Sequence, residues 1–94
     1  MENEINTFLD KEGRVIRWPK KRNDKLNVLK YIQGKFEENR KYTESEVNKI
    51  IKEWHIFNDH ALVRRELYDN YLINRTGDGR EYWIEDEGKQ RGLV

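Results

Sequence analysis

The sequence predicts an α+β domain of the winged helix–turn–helix type: three helices, then a C-terminal β-hairpin as the wing, with an N-terminal strand and helical extension. Three observations carry this. Thr43-Glu44-Ser45-Glu46 has the spacing of a capping box and opens a helix. A second cap, Asn58 or Asp59, follows after a short link, which suits a helix–turn–helix. Gly77-Asp78-Gly79 then separates two β-prone runs, as a hairpin requires.

Taken in order, Ile5, Phe8 and Leu9 recur at helical spacing and predict a short amphipathic turn. Asp10-Lys11-Glu12-Gly13 reads as a tight turn, with Gly13 supplying a positive φ. Arg14 to Trp18 is β-branched and aromatic, which predicts a strand over 14–18 ended by Pro19. A helix over 23–36 follows, capped by Asn23 or Asp24, with Leu26, Leu29, Ile32 and Phe36 on its apolar face. The capping box opens a helix over 43–56, with Val47, Ile50, Ile51 and Trp54 facing inward. The third helix, 58–70, sets Val63, Leu67 and Tyr71 in one apolar line. Strands 72–76 and 80–84 complete the hairpin, with Tyr82 and Ile84 on one face and Trp83 on the other. The expected organisation is an N-terminal extension (1–22), a winged-helix core (23–85) and a flexible polar tail (86–94).

Length and composition bound the function. Ninety-four residues make one small domain with a thin core. Charged residues are 39% and hydrophobic residues 35%, with three Trp, three Phe and five Tyr to fill the interior. With no Cys there is no disulfide framework, thiol nucleophile or Cys-ligated zinc, which fits a cytoplasmic location. No apolar run is long enough for a membrane span, and the acidic start lacks the apolar core of a signal peptide. The net charge of +1 removes the simplest argument for nucleic acid, a strongly basic domain. Charge is uneven, however: residues 1–41 hold eleven basic and seven acidic residues, and residues 42–94 hold eight and eleven.

Several separated blocks also carry a resemblance. They are Phe8-Leu9-Asp10-Lys11-Glu12-Gly13-Arg14, Trp18-Pro19-Lys20-Lys21-Arg22, Tyr42-Thr43-Glu44 with Glu46-Val47-Asn48, Leu62 to Leu67, and Arg80-Glu81-Tyr82-Trp83. In this order they resemble a bacterial domain of unknown function, family 2087, over most of residues 8–84. The resemblance implies a domain found alone or fused behind helix–turn–helix regulators of the arsenic-repressor type. Similar sequences place Gly after the third helix, where Tyr71 stands here; Asn70 is expected to supply the left-handed cap instead.

The candidate functional residues are basic. Arg64 and Arg65 lie on the third helix, which a winged helix presents to the major groove, and arginine is the commonest reader of guanine. Ion pairs of these arginines with Asp59, Glu66 or Asp69 are the plainer alternative, and those acids would repel phosphate. Lys20, Lys21 and Arg22 form the densest basic run and could hold phosphates, or could simply be a solvated loop. Arg75 and Arg80 flank the wing turn, as phosphate contact would require. Trp18 is expected to cover the hairpin or first helix, and Trp54 and Trp83 to lie in the core. His55, Asp59 and His60 lack the spacing of a metal site and read as turn packing, so no metal or cofactor is expected. No catalytic motif or small-molecule substrate site stands out, and the expected class is non-enzymatic. The leading expectation is a transcription-associated module that docks helix 58–70 on duplex DNA; a homodimer on paired half-sites would suit it. The alternative is a winged helix that grips a protein partner without nucleic acid.

Overall fold

The computed structural model describes residues 5–85, so the expected tail lies outside the described residues. Helices α1 (Arg22–Gln33), α2 (Glu44–Glu53) and α3 (His60–Asp69) precede strands β1 (Asn74–Arg75) and β2 (Tyr82–Trp83). The strands pair antiparallel, Asn74 opposite Trp83 and Arg75 opposite Tyr82. This is the order of a winged helix–turn–helix. A further bridge joins Tyr42 to Tyr82 antiparallel, so β2 lies between β1 and the link from α1 to α2. That third sheet position escapes sequence reading, because the link 37–41 is polar and lacks alternation.

The core unites all parts. Phe8 and Val15 from the N-terminal extension, Val28, Leu29 and Ile32 from α1, Val47 and Ile51 from α2, and Val63 and Leu67 from α3 are buried together. Ile73, Tyr82 and Ile84 close it from the hairpin side, while Trp83 faces the other way, as alternation predicts. No helix among the described residues is long and apolar enough to cross a membrane.

The local signals act as chemistry dictates. The Thr43 hydroxyl accepts from the Glu46 N–H at 3.1 Å, and the Glu46 carboxylate accepts from the Thr43 N–H at 2.9 Å. In the 10–13 turn the Asp10 carboxylate accepts from the Glu12 and Arg14 amides and from the Arg14 guanidinium. Gly13 closes that turn at φ 82°. A Cβ there would stand 2.8 Å from the Tyr31 hydroxyl, which donates to the Gly13 carbonyl. At the hairpin tip the Thr76 hydroxyl accepts from the Arg80 and Glu81 amides and donates to Asp78.

Five expectations need correction. The strand at 14–18 is a single bridging residue, Val15, paired with Leu9 and, in parallel, with His55. The Val15 amide donates to the Trp54 carbonyl at 2.8 Å, and the Ile56 amide to the Val15 carbonyl at 2.9 Å. That pairing needs extended backbone at 55–56, so α2 ends at Glu53 rather than near Ile56, which is exposed. α1 ends at Gln33 instead of Phe36, and its N-cap is Lys21, which makes no side-chain cap bond. Asn23 and Asp24 therefore lie inside the first turn. The hairpin strands are shorter than 72–76 and 80–84, because the Thr76–Asp78 network takes up the chain on either side of the glycines.

The end of α3 gives the fifth correction. Asn70 has φ −99°, and Tyr71 itself adopts the left-handed conformation at φ 62°. The Leu72 amide donates to the Leu67 carbonyl and the Tyr71 amide to the Tyr68 carbonyl, which is a complete Schellman motif. Tyr71 therefore leaves the apolar line and is 69% exposed.

The tryptophans lie at the margin of the core. Trp18 packs against Phe57 at the α2–α3 turn, with ring centroids 6.5 Å apart, and Lys25 of α1 lies over its ring. Trp54 and Trp83 are half-buried. Each indole carries a lysine over its ring: Lys25 on Trp18, Lys35 on Trp54 and Lys41 on Trp83, at 5.9, 3.9 and 5.4 Å.

Candidate nucleic-acid interface

The α2–α3 turn sets the direction of α3. Buried His55 spans it: Nδ1–H donates to the Ile51 carbonyl at 2.7 Å, and Nε2 accepts from the Asp59 amide at 3.0 Å. These two bonds tie the end of α2 to the start of α3, so His55 is a turn-packing residue. The Asp59 carboxylate then caps α3 by accepting from the Leu62 amide. With Val63 and Leu67 in the core, the face carrying Arg64, Arg65 and Tyr68 turns outward toward the hairpin.

A cleft of about 380 Å³ lies between that face and the hairpin. Arg64, Arg65, Tyr68 and Asp69 form its α3 wall; Arg75 and Tyr82 form the hairpin wall, and Glu44 enters from the start of α2. Three of the predicted arginines thus converge.

Their environments differ. Arg64 is 22% exposed, donates to the Asn48 side chain and lies 4.0 Å from the Glu44 carboxylate. It ties α3 to α2. Arg65 is 80% exposed and pairs with the Asp69 carboxylate at 3.7 Å. Arg75 lies over the Tyr68 ring, 4.6 Å from its centroid. Arg80 stands at the hairpin tip, 85% exposed and 3.6 Å from Asp78. Lys20, Lys21 and Arg22 do not line the cleft; they are exposed at the start of α1.

Of the three acids expected to oppose phosphate, Asp59 is spent on the cap and Glu66 turns to Asn70, at 3.4 Å. Only Asp69 remains in the cleft, joined by Glu44, which sequence reading missed. Glu44 accepts from the Tyr82 hydroxyl at 3.1 Å. Burial, and after it this bond, raises the Tyr82 hydroxyl above its ordinary value of 10.0. Tyr68 and Tyr82 were also missed as site residues. The i,i+4 spacing of Arg64 with Tyr68 and of Arg65 with Asp69 was the available signal.

A shallower depression runs along α2, lined by Glu44, Ser45, Asn48, Lys49, Lys52 and Glu53. It has no arginine or aromatic ring and balances two lysines against two glutamates.

Three helices followed by an antiparallel two-strand hairpin make an α+β domain with the element order of a winged helix–turn–helix. Residues 14–84 match the family described as "Uncharacterized protein conserved in bacteria (DUF2087)", and the chain belongs to that family. No curated protein and no solved structure matches the chain.

Proposed function

We propose that this domain is a non-enzymatic, transcription-associated module that binds duplex DNA through α3 and the hairpin. The observation that supports this most is the convergence of Arg64, Arg65 and Arg75 in one cleft, with Arg80 extending from the hairpin tip. Arg65, the most exposed of the three in the cleft, is suited to a base edge in the major groove. Arg75 and Arg80 suit phosphates beside it. Arg64, held by Asn48 and Glu44, positions α3. Lys20, Lys21 and Arg22 supply at most an accessory phosphate contact, because they lie outside the cleft.

Fluorescence anisotropy of a generic labelled duplex tests this at about 20 and 200 mM salt. The expected result is weak binding at low salt, in the range of about 1–100 μM, that falls steeply at high salt. Arg65→Ala and Arg75→Ala should each weaken it more than Lys20→Gln does. No binding at low salt with about 100 μM protein overturns the reading. It would leave the second one, a cleft that grips a protein partner. Glu44 and Asp69 inside the cleft are what favour that alternative, since their charges suit a mixed-charge protein surface.

A further inference from the structure

We infer that Asp69 and Glu44 are specificity-determining residues of the cleft, which lower its affinity for generic DNA backbone so that base contacts decide where the domain binds; this rests on the DNA-binding reading above. Asp69 has no evident structural purpose. It lies in the last turn of α3, which contains no basic residue. A carboxylate there faces the negative end of the helix dipole and is unfavourable. Its pairing with Arg65 does not compensate much, because both side chains are more than half exposed and such pairs contribute little. Asp69 nevertheless stands 3.7 Å from the one cleft arginine that is free to reach outward.

Glu44 repeats the arrangement on the opposite side. It bonds the Tyr82 hydroxyl and lies beside Arg64. Each carboxylate thus sits next to one arginine of α3 and lines the cleft that a phosphate would enter. Two carboxylates facing three arginines remove most of the attraction that a sequence-independent polyanion would feel. They oppose base edges much less. Guanine presents neutral acceptors to Arg65, and the amino groups of cytosine and adenine can donate to a carboxylate. The class of ligand this selects is a duplex read through its major-groove edges.

The test is the same anisotropy titration with wild type, Asp69→Asn, Glu44→Gln and the double variant. Both substitutions keep size and polarity, and in Glu44→Gln the side-chain amide oxygen can still accept from the Tyr82 hydroxyl. Each single variant should bind generic duplex about three- to tenfold more tightly at low salt, and the double variant more tightly still. The salt dependence should steepen in parallel. Thermal denaturation is the control that separates this from a folding effect: Asp69→Asn should melt no lower than wild type. If wild type binds and neither variant binds more tightly, this inference is overturned and the DNA reading stands. If wild type does not bind at about 20 mM salt, the DNA reading itself fails and this inference falls with it.

Discussion

At position 71 a tyrosine occupies the left-handed residue of a Schellman motif, where the absence of a Cβ would relieve the backbone. The motif forms regardless, because Leu67 and Leu72 are both buried and draw the chain through the turn. Of two truncations at this position, Tyr71→Gly should therefore be more stable than Tyr71→Ala by about 1 kcal/mol, read as a difference in urea midpoint at unchanged slope. Gly13 is the opposite case. Its φ of 82° and the nearby Tyr31 hydroxyl leave no room for a side chain. Gly13→Ala should destabilise by about 1–2 kcal/mol from the backbone alone, and more from displacing the Tyr31 bond. Denaturant unfolding measures it, and an unchanged midpoint would contradict the geometry. The arginines show the same dependence on neighbours. Arg64 and Arg65 are adjacent in sequence, yet one is held by Asn48 and Glu44 and the other reaches into solvent. Helical spacing sets Arg65 farther than Arg64 from the Val63–Leu67 face, but it does not show that Asn48 and Glu44 hold Arg64.

Among the elements, α2 is the one most plainly written in the sequence, and its cap explains why. Thr43 and Glu46 interact across three residues, so their signal needs nothing from the rest of the chain. Thr43→Ala should lower stability by about 1 kcal/mol, measured by thermal or chemical unfolding. The turn at 10–13 and the glycine-rich hairpin are legible on the same local grounds. What stayed hidden depends on partners distant in sequence. Val15 pairs with His55, and this shortens α2; Tyr42 pairs with Tyr82, and this completes the sheet. The start of α1 is hidden because Asn23 and Asp24 carry good capping chemistry but lie within the helix, whose N-cap is Lys21. The site was half legible for a related reason. Arginine is conspicuous in a sequence, whereas Glu44 reaches the cleft only once α2 is docked beside the hairpin.

Across the whole molecule, three titrating groups favour the same pH direction. The Arg14 backbone amide, and the guanidinium beside it, hold Asp10 below its ordinary 3.8; the Thr76 hydroxyl and Arg80 amide do so for Asp78. Each carboxylate binds protons less readily when folded, so its stabilisation is present above 3.8 and is lost as pH falls below it. His60 is lowered from 6.5 by burial first and then by Lys52 and Arg64. Its neutral form is likewise favoured by folding, so that contribution is present above 6.5 and fades as pH falls through the lowered value. Thermal melts should show stability declining on acidification, and His60→Gln should make the part of that decline just below 6.5 shallower. The lysine lying over each tryptophan ring has an optical consequence. All three indoles are incompletely buried, and each has a fixed positive charge at its face. Iodide should therefore be drawn toward Trp18 and Trp54, while at Trp83 the Glu85 carboxylate, 3.4 Å from the indole Nε1, and Glu81, 3.5 Å from Lys41, offset that charge and leave the ring open to caesium. The three rings report on different places: the α2–α3 turn, the end of α2 and the hairpin. Proteins retaining one tryptophan each would reveal, by their separate responses to the two ions, whether the hairpin loosens before the helices do.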